Sequence, residues 1–131
     1  MRQGYGREDD PLTYDIINCA IAVHKQLGPC LREAAYEEPF YLKLQEKGLQ
    51  VRQQPRIRIP YEGRLMNKTF VPDYVIENEV VVEIKAVESV HRLHGAQVLT
   101  YMKLGNFPLG LLINFNVIRL VDGVRRYVNT R

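Results

Sequence analysis

The run Val80-Val81-Val82-Glu83-Ile84-Lys85-Ala86-Val87 constrains this chain more than any other segment. Its β-branched residues mark a central strand covered on both faces, yet its middle carries two opposite charges. Side chains alternate along a strand, so Glu83 and Lys85 point the same way, about 7 Å apart, while Val82, Ile84 and Ala86 pack the other face. Burying charge in such a strand needs a partner or a purpose. Ten residues earlier, Val71-Pro72-Asp73-Tyr74 places an acid on the neighbouring strand of the same hairpin, and Glu77-Asn78-Glu79 supplies the turn. Asp73 is therefore expected beside Glu83.

The rest of the chain is organised around that hairpin. Asp10-Pro11 gives an N-cap followed by proline at the first helical position, and Ile16, Ile17, Ala20, Ile21, Val23, His24 and Leu27 recur with helical spacing. Gly28-Pro29 ends this helix, and a second is predicted from Leu31 to Lys47, with Pro39 expected to kink or shift it. Val51, Ile57 and Ile59 then alternate with Arg52, Gln54, Arg56 and Arg58 as in a half-buried strand. Tyr61-Glu62-Gly63-Arg64 turns into a second strand, Leu65 to Ile76, and the three strands are expected to form a meander. A helix from Val90 to Leu104, the apolar run Leu109 to Phe115 and a final hairpin through Asp122-Gly123 complete the order ααβββαβββ. This is an α/β pattern.

With 131 residues, 46% of them hydrophobic, the chain has material for one core, so one domain over 10–131 is expected behind a disordered leader at 1–9. No run of eighteen apolar residues occurs and the first ten residues are polar, which points to a cytoplasmic protein without membrane contact. Cys19 and Cys30 lack CxxC spacing and are expected to stay reduced. A formal charge of +3 permits a nucleic-acid partner without arguing for one.

Two carboxylates converging on one point repel unless a cation neutralises them, and hard oxygen ligands with open positions suit Mg²⁺ or Mn²⁺. Such a metal polarises a phosphodiester and lowers the pKa of bound water, while an adjacent ammonium orients that water or offsets developing charge. Asp73 and Glu83 are the candidate ligands, with the Ile84 carbonyl completing the shell, and Lys85 is the candidate catalytic cation. Other schemes find no support. The sole serine, Ser89, lacks a nucleophile elbow, and no phosphate-binding loop or dinucleotide fingerprint is present.

Pro72-Asp73 followed by Glu83-Ile84-Lys85 resembles the Asp...(Asp/Glu)-x-Lys arrangement of the PD-(D/E)XK nuclease superfamily. The chain is similar, more specifically, to the GxxExxY family from about Leu12 to Val128. That likeness includes Val23-His24-Lys25, Leu27-Gly28-Pro29, Glu33 with Tyr36, Gln97-Val98-Leu99-Thr100-Tyr101 and Leu111-Leu112-Ile113-Asn114-Phe115. The resemblance implies a restriction-endonuclease-like core, a mixed β-sheet flanked by α-helices, with Glu33 approaching the metal as an additional acid. It also implies that Gln97 and Tyr101 face the site as substrate-binding residues, Gln97 with a further catalytic role. Helical spacing places His94, Gln97 and Tyr101 on one face. The sequence departs from the family pattern at Cys30, which stands where the first glycine belongs, and at Pro39 inside the second helix.

Blander roles stand beside these. Glu33 also suits a helix-start acid favoured by the dipole, and Gln97 and Tyr101 also suit packing of the helix on the sheet. His24 and His94 are left outside the metal shell, Glu37 and Glu38 are assigned to solvent, and Arg52, Arg56 and Arg58 form a row of strand arginines that is ordinarily solvated. The expected function is a metal-dependent nuclease acting on nucleic acid, DNA ahead of RNA. The alternative is a non-catalytic nucleic-acid-binding or assembly module, working as a homodimer or with a partner protein.

Overall fold

A computed structural model describes residues 10–129. The expected leader at 1–9 lies outside the described residues. Helix α1 runs Pro11–Leu27, as its punctuation predicts. The Asp10 carboxylate accepts from Leu12 N–H and Thr13 N–H at 2.9 and 3.1 Å, which satisfies two of the donors a helix start leaves orphaned. Helix α2 spans Glu33–Glu46 and carries Pro39 inside it without breaking. It starts two residues later than the spacing predicts.

Between α2 and the third helix lie five strands where three are expected: β1 (Val51–Gln53), β2 (Ile57–Tyr61), β3 (Arg64–Phe70), β4 (Tyr74–Ile76) and β5 (Val80–Lys85). Helix α3 (Arg92–Gly105), β6 (Leu109–Asn114), a 3₁₀ turn over Leu120–Gly123 and β7 (Val124–Val128) come next. Thus two strands, not three, come after α3 among the described residues, and Asp122-Gly123 sits in the 3₁₀ turn. The antiparallel partner of β6 is β7.

Nor are the first strands one meander. The main sheet is ordered β1-β4-β5-β6-β7, and β2-β3 forms a separate two-stranded sheet. The chain leaves the main sheet at Gln54, whose φ of 47° is followed by Pro55, and returns through Val71-Pro72-Asp73. Among the described strands only β5 and β6 pair in parallel, joined by α3, and so the sheet is mixed. Helices cover both faces: Val80, Val82 and Ile84 join Ile16, Ala20, Tyr36, Phe40, Leu111 and Ile113 in the core against α1 and α2. On the other face Val75, Val81 and Leu112 pack with Val98, Met102 and Phe107.

Close approach of α3 depends on Gly110. A Cβ there would lie 2.5 Å from Met102 Sδ and 2.6 Å from Val98 Cγ1. The parity of β5 has a direct consequence: with Val81 under α3, Glu83 and Lys85 belong to that same face. No helix among the described residues is long and apolar enough to cross a membrane.

Candidate metal and catalytic centre

The antiparallel pairing of β4 with β5 ends at Tyr74 opposite Val82. One residue further out the strands splay, and side chains take over from the backbone ladder. Glu83 Oε2 accepts from Asp73 N–H at 2.6 Å, and Asp73 Oδ2 accepts from Ile84 N–H at 2.9 Å. This reciprocal clasp brings the two acids together at the end of the sheet, although Asp73 sits in the bend before β4 instead of within a long strand. Each carboxylate commits one oxygen to the clasp, which leaves its second for another ligand.

Glu83 is 4% exposed and Asp73 is half-buried. Burial, then the charge of Asp73, pushes the Glu83 carboxyl up to about 8, against the pull of the Asp73 N–H and of Lys85. Burial also raises Asp73, while the Ile84 N–H and Lys85 hold it down. Two acids forced to share desolvated space in this way hold protons more tightly, and a cation relieves the same strain.

Glu33 reaches this centre from the first turn of α2. Its carboxyl is raised by burial and then by Asp73, and lowered by Lys85, so it lies within electrostatic reach of both. Three features bring it there. Tyr74, beside Asp73, donates its hydroxyl to the Glu37 carbonyl of α2 at 2.9 Å, and its ring meets Phe40 edge-on at 5.3 Å. Tyr36 stacks on Phe115 at 4.5 Å, donates to the Gly28 carbonyl at 2.6 Å and accepts from Leu31 N–H at 3.3 Å, binding the turn between α1 and α2. Cys30, within that turn, adopts φ 77°, the left-handed conformation glycine takes without cost, and so helps reverse the chain between the helices.

Helix α3 covers the other side of the centre. The Tyr101 hydroxyl is raised by burial, then by Glu83 and Asp73, and accepts from Gln97 Nε2 at 3.1 Å. Tyr101 also stacks on Phe70 of β3, ring centroids 5.1 Å apart, so it packs and faces the site at once. His94 is lowered by burial and then by Lys85, which places it near that ammonium. It also closes a capping box with His91 at the start of α3. His24 is remote from this chemistry: its buried ring donates from Nε2 to the Val117 carbonyl at 2.8 Å. Arg52 bonds to Asn78, and Arg58 to the carbonyls of Leu65 and Met66.

One positioning residue escapes sequence reasoning. Asn114, opposite Lys85 in the parallel register, is 3% exposed. Its Oδ1 accepts from Val87 N–H at 3.0 Å and Asn116 N–H at 3.2 Å, and its Nδ2 donates to the Val87 carbonyl at 2.9 Å. Asn116 Oδ1 in turn accepts from Cys30 N–H at 2.9 Å. A single chain of bonds thus joins the segment after Lys85 to the turn that carries Glu33. An asparagine ending an apolar strand, in a segment otherwise Leu, Gly and Ile, is the signal that could have found it.

Among the described residues, no group of three or more His, Cys, Asp or Glu side chains is arranged to hold a metal ion by itself. The donor set fits an ion held by two carboxylates, a backbone carbonyl and water, the habit of a small hard cation that keeps part of its hydration shell. It does not fit a closed cage. The family model described as PD-(D/E)XK nuclease superfamily matches residues 10–127. No curated protein matches the chain.

Proposed function

The chain belongs to the PD-(D/E)XK nuclease superfamily, whose members generally use divalent metals and act on nucleic acid, and on that premise we propose that it hydrolyses phosphodiester bonds, of DNA ahead of RNA. The observation that carries the proposal is the Asp73–Glu83 clasp with Lys85 on the same face of β5. Glu33 and Tyr36 at the motif's spacing, behind a Cys30 with glycine-like backbone, support the GxxExxY family within the superfamily.

Asp73, Glu83, the Ile84 carbonyl and Glu33 are the residues that would hold Mg²⁺ or Mn²⁺. A divalent ion bound there supplies Lewis-acid polarisation of the phosphodiester and acidifies a ligated water. Lys85 then aligns the attacking water and offsets the charge growing on the non-bridging oxygens. The water oxygen bonds to phosphorus, its proton passes to a nearby carboxylate such as Glu33, and the leaving oxygen departs with a proton from solvent. Gln97 holds the Tyr101 hydroxyl in place, and Tyr101 donates to a phosphate oxygen.

Cleavage of labelled single- and double-stranded oligonucleotides in Mn²⁺ tests this. Lys85→Ala is expected to lower the rate by roughly 100-fold or more while Mn²⁺ affinity in calorimetry is retained. The Asp73→Ala, Glu83→Ala double variant is expected to lose both. Equal metal binding by that variant and the wild type would remove the site.

A second reading has its own observation: both carboxylates already accept backbone N–H groups, so the pair also serves to close the splayed end of the sheet. In a non-catalytic nucleic-acid-binding or assembly module, acting as a homodimer or beside a partner protein, that would be their whole role. Nucleic-acid binding without metal-dependent cleavage, unchanged by Lys85→Ala, distinguishes it.

A further inference from the structure

The β2-β3 hairpin stands apart from the main sheet, and its base and tip have different chemistry. At the base, Ile57 lies opposite Phe70 in the register and packs with the residues under α3, while Phe70 stacks on Tyr101. Ile57 and Tyr61 share one face by alternation along β2, and their partners Phe70 and Arg64 share it with them; the register shifts between Arg58 and Pro60, opposite the stretch of β3 that carries Lys68. The face that grips α3 beside the carboxylates therefore continues outward as Arg64 and Tyr61, with Lys68 in the irregular stretch between Phe70 and Arg64. All three are exposed, Tyr61 by 62%.

Charge in this arm is one-sided. Across residues 54–70 the cations Arg56, Arg58, Arg64 and Lys68 meet a single anion, Glu62. Arg58 is held across the hairpin by the Leu65 and Met66 carbonyls, which stiffens the arm. The turn has φ 50° at Glu62 and 74° at Gly63, the two positive values of a tight hairpin turn that suits the strand twist. From Phe70 to Arg64 the strand advances about 20 Å, the span of several nucleotides.

We propose that the β2-β3 hairpin is a nucleic-acid-holding arm: Arg64 and Lys68 engage backbone phosphates, and the Tyr61 ring stacks on a base, of a single strand leading to the Asp73–Glu83 centre. The inference rests on the nuclease reading of that centre and names the strand state it takes. A groove of cations with an exposed aromatic ring is the combination that binds single strands with little sequence preference, because every base offers a flat π-face and every nucleotide a phosphate. A duplex keeps its bases stacked on one another and offers none to Tyr61. Leu65 and Pro60 occupy the opposite face of the hairpin and stay outside the contact.

The test compares wild type with Tyr61→Ala, with Arg64→Ala plus Lys68→Ala, and with Lys25→Ala on the remote α1. Anisotropy of a labelled oligothymidine and of a duplex of equal length is followed in EDTA and at several salt concentrations. Tyr61→Ala is expected to weaken single-strand binding about tenfold, with little change for the duplex. The double variant is expected to weaken binding of both and to flatten the logarithmic salt dependence by roughly 1.4 units for the single strand and roughly 1.8 for the duplex, because two cations no longer displace counterions from the phosphates. Lys25→Ala should match wild type. Circular dichroism melting checks that every variant is folded, and Mn²⁺ calorimetry should give wild-type affinity throughout.

Unchanged binding by the arm variants overturns the arm, as does equal loss for single strand and duplex in Tyr61→Ala. A shift in oligomeric state with unaltered nucleic-acid binding also overturns it. Failure of the centre shows elsewhere: Mn²⁺ binding indifferent to Asp73 and Glu83 refutes the nuclease reading whatever the arm variants do.

Discussion

Glu83 decides most at the scale of single residues, because in the proposed centre its proton and a metal would compete for one carboxylate. Its folded pKa, raised by burial and by Asp73 to about 8, exceeds its ordinary value of 4.5. An acid raised in this way binds more protons folded than unfolded between those two values, so its contribution is fully present below pH 4.5 and is lost as pH rises through 8. Asp73 and Glu33 are shifted in the same direction. Metal-free protein should accordingly lose stability from about pH 5 to 8.5 in urea denaturation in EDTA, and Glu83→Gln should flatten that slope. Saturating Mn²⁺ should also flatten it, with protons released on binding. A pH-independent stability in EDTA would contradict the burial of this acid. Asn114 fixes the chain next to Lys85. Its replacement by alanine leaves Val87 N–H and C=O without their partner, a cost of about 1–3 kcal/mol for buried groups. Because those bonds fix the chain just beyond Lys85, Asn114→Ala should lower kcat more than KM, measurable by cleavage kinetics below the variant's melting point. Glu83 and Lys85 are visible in the sequence because charge inside an apolar strand is conspicuous, and Asp73 because it stands ten residues earlier across the same hairpin. Asn114 shows only as a polar end to an apolar strand, since nothing local says that its amide will reach across to Val87. Cys30, a non-glycine residue, takes the positive φ that glycine adopts without cost, which its local sequence does not announce.

At the scale of elements, α3 must lie close enough to β6 for Tyr101 to face the carboxylates, and Gly110 sets that distance. Gly110→Ala should cost about 1–3 kcal/mol through overpacking against Val98 and Met102, read as a lower Tm, and should slow cleavage by lifting Tyr101. Met102 can swing aside; Val98, with its branched and stiff side chain, cannot. The helices are legible because caps and breakers act locally: Asp10-Pro11 and Gly28 fix α1 whatever the chain does later. The strands are less so. Val51, Ile57 and Ile59 keep one parity straight through a change of sheet, because alternation records which side is buried and not which sheet buries it. The bend at Gln54-Pro55 and the return at Val71-Pro72 depend on where the hairpin docks on α3, a tertiary fact. The Asp122-Gly123 pair reads as a hairpin turn and belongs to a 3₁₀ turn, because such a pair marks a tight reversal without saying which elements it joins.

For the whole molecule, the proposed centre would draw on distant parts of the chain: α2 through Glu33, the β4–β5 end through Asp73, Glu83 and Lys85, and α3 through Gln97 and Tyr101. Metal binding should therefore couple to global stability, raising Tm with Mn²⁺ concentration in wild type as the linkage relation requires and leaving the Asp73→Ala, Glu83→Ala variant unmoved. The Lys85→Ala protein should still respond, since its ligands remain. The most direct test of the central claim is anomalous scattering from crystals soaked in Mn²⁺. The account predicts a peak bonded to one oxygen of Asp73 and one of Glu83, with Lys85 on the same side of the sheet. A map with no peak there, both carboxylates still engaged only by the N–H groups of residues 73 and 84, would contradict it.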